Sequence, residues 1–328
     1  MNIVITGATG FIGTRLANRL AAANHIVTAL VRREAPLLSA AVVRRQGELS
    51  DGQFLRQAVA GADAVVHVAG QTKAFTARGF LRVNEVLTQA VADAVDRYAP
   101  KHTALLYVSS QAAVGPSNEL PGLRETDQPA PMSRYGFSKL LGERTVLELA
   151  GHRPVVVARP AMVYGPGDTA FVPLYRCMVK GILPTSGPAG QRFSIVHVDD
   201  LVDGLCLVLA NIAGRKPGGS VLHFAGPQKL IWEDYAEVFG SALGRRVRVL
   251  HPPAPALYIV ALSNTLLNML GLPTSHLTFD KCREALAPGW LLDCTRTESA
   301  IGFTPRRGLA QGAAETIDWC REKGLLPG

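Results

Sequence analysis

A tyrosine and a lysine four residues apart give the clearest indication of chemistry in this sequence. The run Tyr135-Gly136-Phe137-Ser138-Lys139 would place both side chains on one face of a helix, where their ends can reach the same ligand. A phenol has an ordinary pKa of about 10, but a neighbouring ammonium favours its anion, and a lowering by three pH units corresponds to about 4 kcal/mol. Tyr135 could then take the proton of an alcohol or donate one to a carbonyl.

Two hydroxyl groups end a predicted strand upstream of this pair. Ser109 and Ser110 follow the apolar run at 104–108, and ligands of doubly wound sheets bind at the carboxyl ends of such strands. Ser110 would hydrogen-bond a substrate oxygen and hold it near Tyr135. A Tyr-x-x-x-Lys spacing alone usually marks a surface helix, but its combination with this serine and a cofactor loop, in this chain order, favours the catalytic interpretation.

A glycine-rich segment near the N-terminus predicts the cofactor loop. Residues 6–13, Thr-Gly-Ala-Thr-Gly-Phe-Ile-Gly, follow the first apolar run directly and open an amphipathic helix. Glycines at these points permit a tight turn, so that backbone amides and the positive end of the helix meet a pyrophosphate. The alternative is a strand-to-helix turn that binds nothing, and the strand before and the helix after disfavour it. The cofactor-binding residues expected here are Gly7, Thr9, Gly10, Phe11, Ile12 and Gly13.

The end of the second predicted strand indicates which dinucleotide is bound. Arg32 and Arg33 stand where an NAD-binding protein usually presents a carboxylate to the ribose 2′-hydroxyl. Arginines at this place favour the 2′-phosphate of NADP. Glu34 is close enough in sequence to keep NAD as an alternative, and a solvated arginine pair on a loop is the interpretation without function.

These candidate residues lie in a chain that alternates strands and helices. Apolar runs at 2–5, 26–31, 64–68, 104–108 and 155–158 are too continuous to have one face in water, and they suit a buried parallel sheet. Helical patterns separate them. The expected fold class is therefore α/β, with a Rossmann-type doubly wound parallel sheet.

The alternation of strands and helices weakens in the second half of the chain, where glycine and proline become frequent. We expect an NAD(P)-binding Rossmann domain over 1–165 and a smaller α/β substrate-binding portion over 166–328. Residues 193–222 should rejoin the first sheet, because 194–198 reads as a strand that leads into a helix. The apolar stretch 256–272 is short for a bilayer span of roughly 20 residues and predicts a helix that lines or covers an apolar pocket.

The composition excludes several classes of protein. With 328 residues, 48% hydrophobic and 18% charged, the chain is typical of a compact globular protein. The net charge of +8 comes from scattered arginine pairs without a basic run, so anionic small molecules are expected as partners and nucleic acid is not. Five widely spaced cysteines and eight histidines show neither disulfide nor metal-ligand spacing, so no metal is expected. Reduced thiols and an N-terminus without signal-peptide features predict a cytoplasmic protein.

Taken together, the motifs resemble the extended short-chain dehydrogenases/reductases of the NAD-dependent epimerase/dehydratase superfamily, over nearly the whole chain. The resemblance implies a catalytic set of Ser110, Tyr135 and Lys139, with Asn84 as a structural or proton-relay residue. It also implies further contacts with the cofactor. These are Glu48 and Leu49 near the adenine, Val68, Ala69 and Gly70 after a strand, Tyr135 and Lys139 themselves, and Pro160 and Val163 beside the nicotinamide.

The same resemblance favours a net redox reaction. Dehydratases of this family carry an Asp-Glu pair after the central strand, whereas Ser110 is followed here by Gln-Ala-Ala. Epimerases keep NAD bound and often carry an acid after the second strand, where this chain has arginines that suit an exchangeable NADPH. The stretch 108–116 resembles the corresponding part of hydroxysteroid dehydrogenases. The chain as a whole also resembles the dihydroflavonol-type reductases of the same family.

We therefore expect an NAD(P)-dependent oxidoreductase that interconverts a secondary alcohol and a ketone on an apolar substrate, sterol-like, polycyclic or fatty β-keto. A nucleotide-sugar epimerase with tightly bound NAD and a non-catalytic dinucleotide-binding protein are the alternatives. The apolar stretch 256–272 suits such a substrate, and ordinary core or a dimer contact explains it nearly as well. No transmembrane span is expected, and contact with a membrane surface and a homodimer stay open.

Overall fold

The computed structural model describes residues 1–74, 76–185, 187–212, 216–270 and 278–327. The strands in these residues are β1 (Asn2–Thr6), β2 (Ile26–Val31), β3 (Val43–Gln46), β4 (Ala64–His67), β5 (Ala104–Val108), β6 (Pro154–Pro160), β7 (Met162–Tyr164), β8 (Ile182–Pro184), β9 (Arg192–His197), β10 (Gly218–Phe224), β11 (Lys229–Leu230), β12 (Arg248–Leu250) and β13 (Gly289–Trp290).

The helices described in the same residues are α1 (Phe11–Ala22), α2 (Gly52–Val59), α3 (Ala77–Leu81), α4 (Leu87–Tyr98), α5 (Arg134–Leu147), α6 (Val172–Val179), α7 (Val198–Ile212), α8 (Trp232–Leu243), α9 (Ala254–Met269), α10 (Phe279–Ala285), α11 (Thr295–Ile301) and α12 (Leu309–Glu322). A π-helical turn, Arg82–Val86, joins α3 to α4, and short 3-10 turns span Gln111–Ala113 and Glu148–Gly151.

A seven-stranded sheet forms the centre of the molecule, in the order β10-β6-β5-β4-β1-β2-β3. Every neighbouring pair in it is parallel. The chain order reverses between β1 and β4, where Ile5 lies beside Ala29 on one side and Val66 on the other. A crevice opens beyond the carboxyl ends of parallel strands at such a reversal. The predicted α/β fold with a doubly wound parallel sheet is confirmed.

Helices cover both faces of this sheet because its strands are apolar on both sides. On one face α1 and α7 pack through side chains such as Leu16 and Leu205. On the other face α2, α4 and α5 pack through Leu55, Val95 and Val146. Both helical stripes follow the three- to four-residue spacing that the sequence shows.

A smaller unit is built around β9, which pairs with β7, β11 and β13. Its core contains a column of aromatic rings in which Tyr235 stacks on Phe239 and Phe239 on Tyr175. The prediction that residues 194–198 rejoin the main sheet is wrong, because 194–197 belong to β9. The return is made by the following elements: α7 packs on α1, and β10 pairs with β6. The division into domains at 165/166 stays a prediction.

Helix α9 corresponds to the apolar stretch expected at 256–272, of which residues 271 and 272 lie outside the described residues. It buries a narrow stripe, Leu257 and Ala261, against Cys282 of α10. Among the described residues, none of the helices combines the length and the apolar character that crossing a bilayer requires.

Candidate active site

The glycine loop between β1 and α1 packs tightly against the segment that follows β4. Gly7 has a φ of +70°, and a Cβ there would come within 2.5 Å of the Ala69 backbone nitrogen. A Cβ on Gly13 would lie 2.2 Å from the Gly7 carbonyl oxygen. Only glycine fits both positions, and this brings the start of α1 against the end of β4.

The first turn of α1 is left open to a ligand. Gly10 precedes the helix, and no side chain among the described residues caps it. Thr9 and Gly10 are exposed, whereas Phe11 and Ile12 are half-buried at the start of the helix. Backbone N–H groups at an uncapped helix start, together with the helix dipole, suit an anionic group. The residues present therefore fit a dinucleotide pyrophosphate.

A buried histidine, His67, is hydrogen-bonded to Thr6 at the start of this loop. A hydrogen bond of 2.6 Å joins Thr6 Oγ1 to His67 Nδ1, and one of 3.0 Å joins His67 Nε2 to Thr88 Oγ1. The Thr6 hydroxyl also accepts the backbone N–H of Ala69 at 3.2 Å. Burial, followed by the nearby charge of Lys139, lowers the pKa of His67 to about 3. His67 is thus a neutral structural link between β1, β4 and α4.

The predicted adenosine-side residues lie at the carboxyl ends of β2 and β3. Arg32 and Arg33 are exposed, as is Glu34 beside them. β3 places Gln46 opposite Val31, so Glu48 follows at the same edge of the sheet. Glu48 is exposed, and Leu49 packs against the core. The structure thus brings both arginines and Glu48 to one edge, as the sequence order implies.

The Tyr135 side chain meets the Ser110 hydroxyl at the carboxyl end of β5. Ser110 follows β5 and accepts the Ala112 N–H at 3.2 Å, while Tyr135 lies in the first turn of α5 with its ring 5.9 Å from that of Phe80. Burial raises the pKa of Tyr135, and the hydrogen bond with Ser110 and the charge of Lys281 act in the opposite direction. The two hydroxyls expected to share a substrate oxygen are therefore adjacent.

The Lys139 ammonium lies one helical turn further on, inside the protein. Its Nζ donates to the Val108 carbonyl oxygen at 2.8 Å and lies 4.1 Å from the centroid of the Tyr107 ring. Burial lowers the pKa of Lys139 to about 7, although Glu143 works in the opposite direction. A lysine with this pKa exchanges protons near neutral pH.

Asn84 joins the segment after β4 to the helix that carries Tyr135. It is buried on the π-helical turn, where its Oδ1 accepts the Gln71 N–H at 2.8 Å and its Nδ2 donates to Ser138 Oγ at 2.9 Å. A Cβ on Gly70 would lie 3.3 Å from Asn84 Oδ1 and 3.6 Å from Lys139 Nζ. Gly70, Asn84 and Lys139 therefore meet at one place, and the contacts of Asn84 are those of a structural residue.

A buried ion pair beneath this centre is absent from the sequence predictions. Arg159 of β6 donates to both carboxylate oxygens of Glu143, at 2.9 and 2.6 Å, and Ser109 donates to Glu143 at 2.5 Å. The only sequence signal is that Glu143 stands four residues after Lys139 and hence on the same helical face. The pair fixes α5 against β5 and β6.

Pro160 and Val163, expected beside the nicotinamide, and Val68, expected after a strand, lie along neighbouring strand ends. Pro160 ends β6, and the next residue donates its N–H to the Phe224 carbonyl at 2.8 Å. Val68 and Val163 are half-buried and pack on the same core. Each stands at the carboxyl edge of the main sheet or just beyond it, which is where the crevice opens.

A cavity of about 500 Å³ lies beside the start of α5. Its walls come from α3, α5, α9 and α10, and Phe80, which touches the Tyr135 ring, is one of its lining residues. Asp280 in the wall accepts the backbone N–H groups of Arg134 at 2.7 Å and Tyr135 at 3.2 Å. The lining residues are Ala74, Phe80, Arg134, Tyr258, Thr265, Thr278, Phe279, Asp280 and Arg283.

One further cluster has the composition of a metal site. His197, Asp199 and Glu315 bring candidate ligand atoms within 4.8 Å of one another. The guanidinium of Arg307 lies 3.3 Å from each of the two carboxylates. An arginine already supplies the positive charge there, so the cluster does not indicate a cation.

The strand order, the glycine loop and the adjacent serine, tyrosine and lysine define a class of dinucleotide-dependent enzymes. The chain belongs to the NAD dependent epimerase/dehydratase family, whose model matches residues 3–222. The resemblance expected from the motifs is confirmed.

Individual relatives within the family differ in the reaction that their names state. The chain is 29% identical to a ceramide reductase of Caulobacter vibrioides, over 99% of this chain and 96% of that protein. It is also 29% identical to a dTDP-glucose 4,6-dehydratase of Streptomyces antibioticus, over 98% and 93%. The structure resembles that of UDP-glucuronic acid 4-epimerase from Bacillus cereus in complex with UDP-glucuronic acid and NAD, with a TM-score of 0.76, 18% identity and coverage of 98% and 100%.

Proposed function

We propose that this protein is an NADP-dependent oxidoreductase that interconverts a secondary alcohol and a ketone on an apolar substrate of the fatty, long-chain type. The observation that carries the proposal is the meeting of the Ser110 and Tyr135 side chains at the end of β5, with the Lys139 ammonium one turn further along α5. Donor and acceptor groups for one substrate oxygen are thereby assembled at the mouth of the crevice.

A bound nicotinamide supplies the hydride in ketone reduction and accepts it in alcohol oxidation. Ser110 orients the substrate oxygen by a hydrogen bond. Tyr135 donates its phenolic proton to that oxygen as the carbonyl is reduced, and takes the proton back in the reverse direction. Burial raises the pKa of Tyr135, and a positive charge on Lys139, one helical turn away, would favour the phenolate.

The residues that would hold the cofactor are those of the glycine loop and the strand ends around it. Gly7 and Gly13 pack the loop and the start of α1 closely against the backbone around them, and the backbone N–H groups at Gly10 and the first turn of α1 would bind the pyrophosphate. Arg32 and Arg33 are exposed after β2 and suit a 2′-phosphate, which a guanidinium binds through two parallel hydrogen bonds. These arginines support NADP over NAD.

Three observations support an apolar substrate. Phe80, Tyr258 and Phe279 line the cavity beside Tyr135. Ser110 is followed by Gln-Ala-Ala rather than by acidic residues that could expel water from a sugar. The relative named ceramide reductase is similar over the full length of this chain, and its name refers to a lipid, which favours a fatty substrate over a sterol.

The proposal is tested by turnover measurements with NADPH and NADH on fatty β-keto compounds and long-chain secondary alcohols. Tyr135→Phe should lower kcat by about 10²- to 10⁴-fold and leave the Kd of NADPH unchanged, whereas Tyr98→Phe on the exposed end of α4 should change neither. Arg32→Ala combined with Arg33→Ala should raise the Kd of NADPH and spare NADH. Unchanged turnover in Tyr135→Phe would contradict the proposed chemistry.

A nucleotide-sugar epimerase is the second candidate, because a dTDP-glucose 4,6-dehydratase and UDP-sugar epimerases are among the similar proteins. The two candidates differ in whether the cofactor is consumed. An epimerase would retain NAD through purification and convert a UDP- or dTDP-sugar with no net change in absorbance at the NADH band. That result would replace the oxidoreductase proposal.

A further inference from the structure

Helix α9 and the start of α10 carry a large apolar surface that faces solvent. No Asp, Glu, Lys or Arg occurs between residues 254 and 270. Ile259 is 64% exposed and Leu270 is 74% exposed. We call this surface the α9 face; its exposed residues are Tyr258, Ile259, Val260, Leu262, Leu266, Leu267, Leu270 and Phe279.

Within the described part of the chain, packing covers only a narrow side of α9. Leu257 and Ala261, one turn apart, contact Cys282 and form a small core of their own, and Asn264 continues this buried stripe. The remaining described side chains are largely apolar and outside it. A helix that is hydrophobic all round is normally buried in protein or in lipid, and exposed apolar patches of this kind mark interaction sites.

Positive charge borders the α9 face. Arg134 and Arg283 are exposed and line the same cavity as Tyr258 and Phe279. The carboxylate in that cavity wall, Asp280, accepts the two backbone N–H groups at the start of α5. Two arginines beside an uncharged apolar helix match a surface whose apolar interior lies beneath negatively charged headgroups.

We propose that the α9 face docks onto a lipid bilayer that carries anionic headgroups. A helix of 16 residues is about 24 Å long, shorter than the roughly 30 Å hydrocarbon core, so α9 would lie in the plane of the interface. Tyr258 and Thr265 of α9 line the cavity beside Tyr135, so docking brings this cavity to the lipid. The docking surface goes beyond the proposed reaction, and only its use as a route for substrate rests on that reaction.

Vesicle flotation tests the docking surface. The full-length protein should bind vesicles of phosphatidylcholine mixed with phosphatidylglycerol, and bind phosphatidylcholine alone more weakly. Replacing Ile259, Leu262 and Leu266 together by Gln should reduce binding at least about tenfold. Arg283→Gln should reduce it about fivefold on the anionic vesicles only, and less at high salt. Leu37→Gln, at a side chain 76% exposed on another surface, should have no effect.

The competing occupant of the α9 face is a second copy of this chain. Sedimentation equilibrium without lipid should then show a dimer that the triple Gln variant dissociates, with no vesicle binding by the unaltered protein. That outcome would overturn the docking proposal.

Turnover of a short-chain, water-soluble ketone separates this proposal from the proposed function. Turnover without vesicle binding contradicts the docking surface alone, and vesicle binding without any turnover contradicts the reaction alone. If both hold, the triple Gln variant should keep its activity on the short-chain ketone and lose it on a vesicle-borne one.

A second and independent feature is a cation over the Tyr135 ring. Lys281 Nζ lies 5.1 Å from the ring centroid and is held by Glu284 at 2.5 Å. The other Glu284 oxygen accepts the Ser133 hydroxyl at 2.5 Å. Burial works against the charge on Lys281, but Glu284 outweighs it and the pKa of Lys281 is raised. Lys281 therefore carries its charge at neutral pH.

We infer that Lys281 is a positioning residue that favours the Tyr135 phenolate during proton transfer, an inference that rests on the proposed function. Ser110 after β5 and Lys281 and Glu284 from α10 shift the pKa of the Tyr135 phenol, and the Lys139 ammonium and the Asp280 carboxylate are the further charged groups near Tyr135. Glu284 opposes the phenolate, whereas Lys281 stands over the ring itself. A cation over an aromatic face is attracted to the ring and more strongly to its anion.

The pH profile of alcohol oxidation tests this role. Lys281→Met should move the pH of half-maximal kcat/KM upward by about one unit, and Lys281→Arg should restore the profile. The Kd of NADPH should be the same in both variants. A loss of activity in Lys281→Met with an unmoved pH profile would show a merely structural role, and a Lys281→Arg profile like that of Lys281→Met would exclude the charge as the cause. If alcohol oxidation is absent from the unaltered protein as well, the proposed function fails first.

Discussion

Lys139→Met should make the cofactor-free protein more stable while it abolishes turnover. Lys139 is 3% exposed, and burial lowers the pKa of its ammonium from 10.5 to about 7. The folded protein therefore holds this proton less tightly than the unfolded chain. Between pH 10.5 and 7 this difference in pKa lowers the free energy of unfolding of the unaltered protein by roughly 5 kcal/mol, and the whole of this cost is present at low pH.

Part of that gain is offset by contacts that the methionine cannot make. Lys139 Nζ donates to the Val108 carbonyl and lies over the Tyr107 ring, and together these contacts contribute about 2 to 3 kcal/mol. Methionine is close to lysine in length and fills the same space. We therefore expect a net stabilisation of about 2 kcal/mol below pH 7.

The sign of the pH dependence follows from the lowered pKa. Below pH 7 the folded and unfolded chains both carry the proton, so the full cost of the buried charge is present. Between about pH 7 and 10.5 the folded protein loses the proton first, and the stability of the unaltered protein rises with pH. The Lys139→Met variant lacks this rise, so its advantage should shrink as the pH increases.

Urea unfolding followed by circular dichroism at pH 6, 7, 8 and 9 measures both quantities. Lys101→Met, at an exposed lysine, serves as the control and should follow the unaltered protein at each pH. The reasoning is refuted if Lys139→Met is the less stable protein at pH 6, or if its difference from the unaltered protein stays constant up to pH 9.

Three further predictions concern the surroundings of the site. The pKa of His67 is lowered to about 3, so the folded protein takes up this proton at a lower pH than the unfolded chain, and the free energy of unfolding falls as the pH drops from 6.5 to 3. In urea unfolding, His67→Asn should remove this dependence, which amounts to up to about 1.4 kcal/mol per pH unit. Glu143→Gln should cost about 3 to 5 kcal/mol in urea unfolding, because Arg159 then keeps a buried charge without its counterion; equal stability of the variant would show that the pair is not needed. Gly13→Ala should abolish NADPH binding in fluorescence titration, because its Cβ meets the Gly7 carbonyl at 2.2 Å, whereas Gly52→Ala at the start of α2, where a Cβ meets nothing within 4 Å, should retain it.

The main sheet could be predicted because its strands are buried on both faces. Continuous apolar runs such as 104–108 leave few other structures for the backbone, and the glycine loop identifies which strand comes first. Strand β3 was not predicted, since all four of its residues are exposed and it is held by backbone pairing to β2 and by polar contacts such as that of Arg45 with the Gln57 carbonyl at 2.8 Å. Strand β9 is buried at every position after Arg192, as the main-sheet strand β5 is throughout, so burial alone could not show which sheet it joins.

The predicted site residues depended on local spacing, and the missed ones on tertiary contacts. Tyr135 and Lys139 are four residues apart, so helical geometry alone relates them. Glu143 and Arg159 pair across two elements, and Lys281 reaches Tyr135 from 146 positions away. Such contacts leave no periodic signal in the sequence. Lys281 becomes visible only when α10 is packed on the start of α5.

The edge strand β10 has a consequence for how this chain is made. It pairs with β6 over seven residues, from Gly218 against Pro154 to Phe224 against Pro160, yet β7, β8, β9, α6 and α7 lie between the two in the chain. During synthesis on the ribosome, one edge of β6 therefore stays unpaired until residue 224 has emerged. Unpaired strand edges pair with strands of neighbouring chains. A fragment that ends at residue 165 should therefore aggregate unless a chaperone is present.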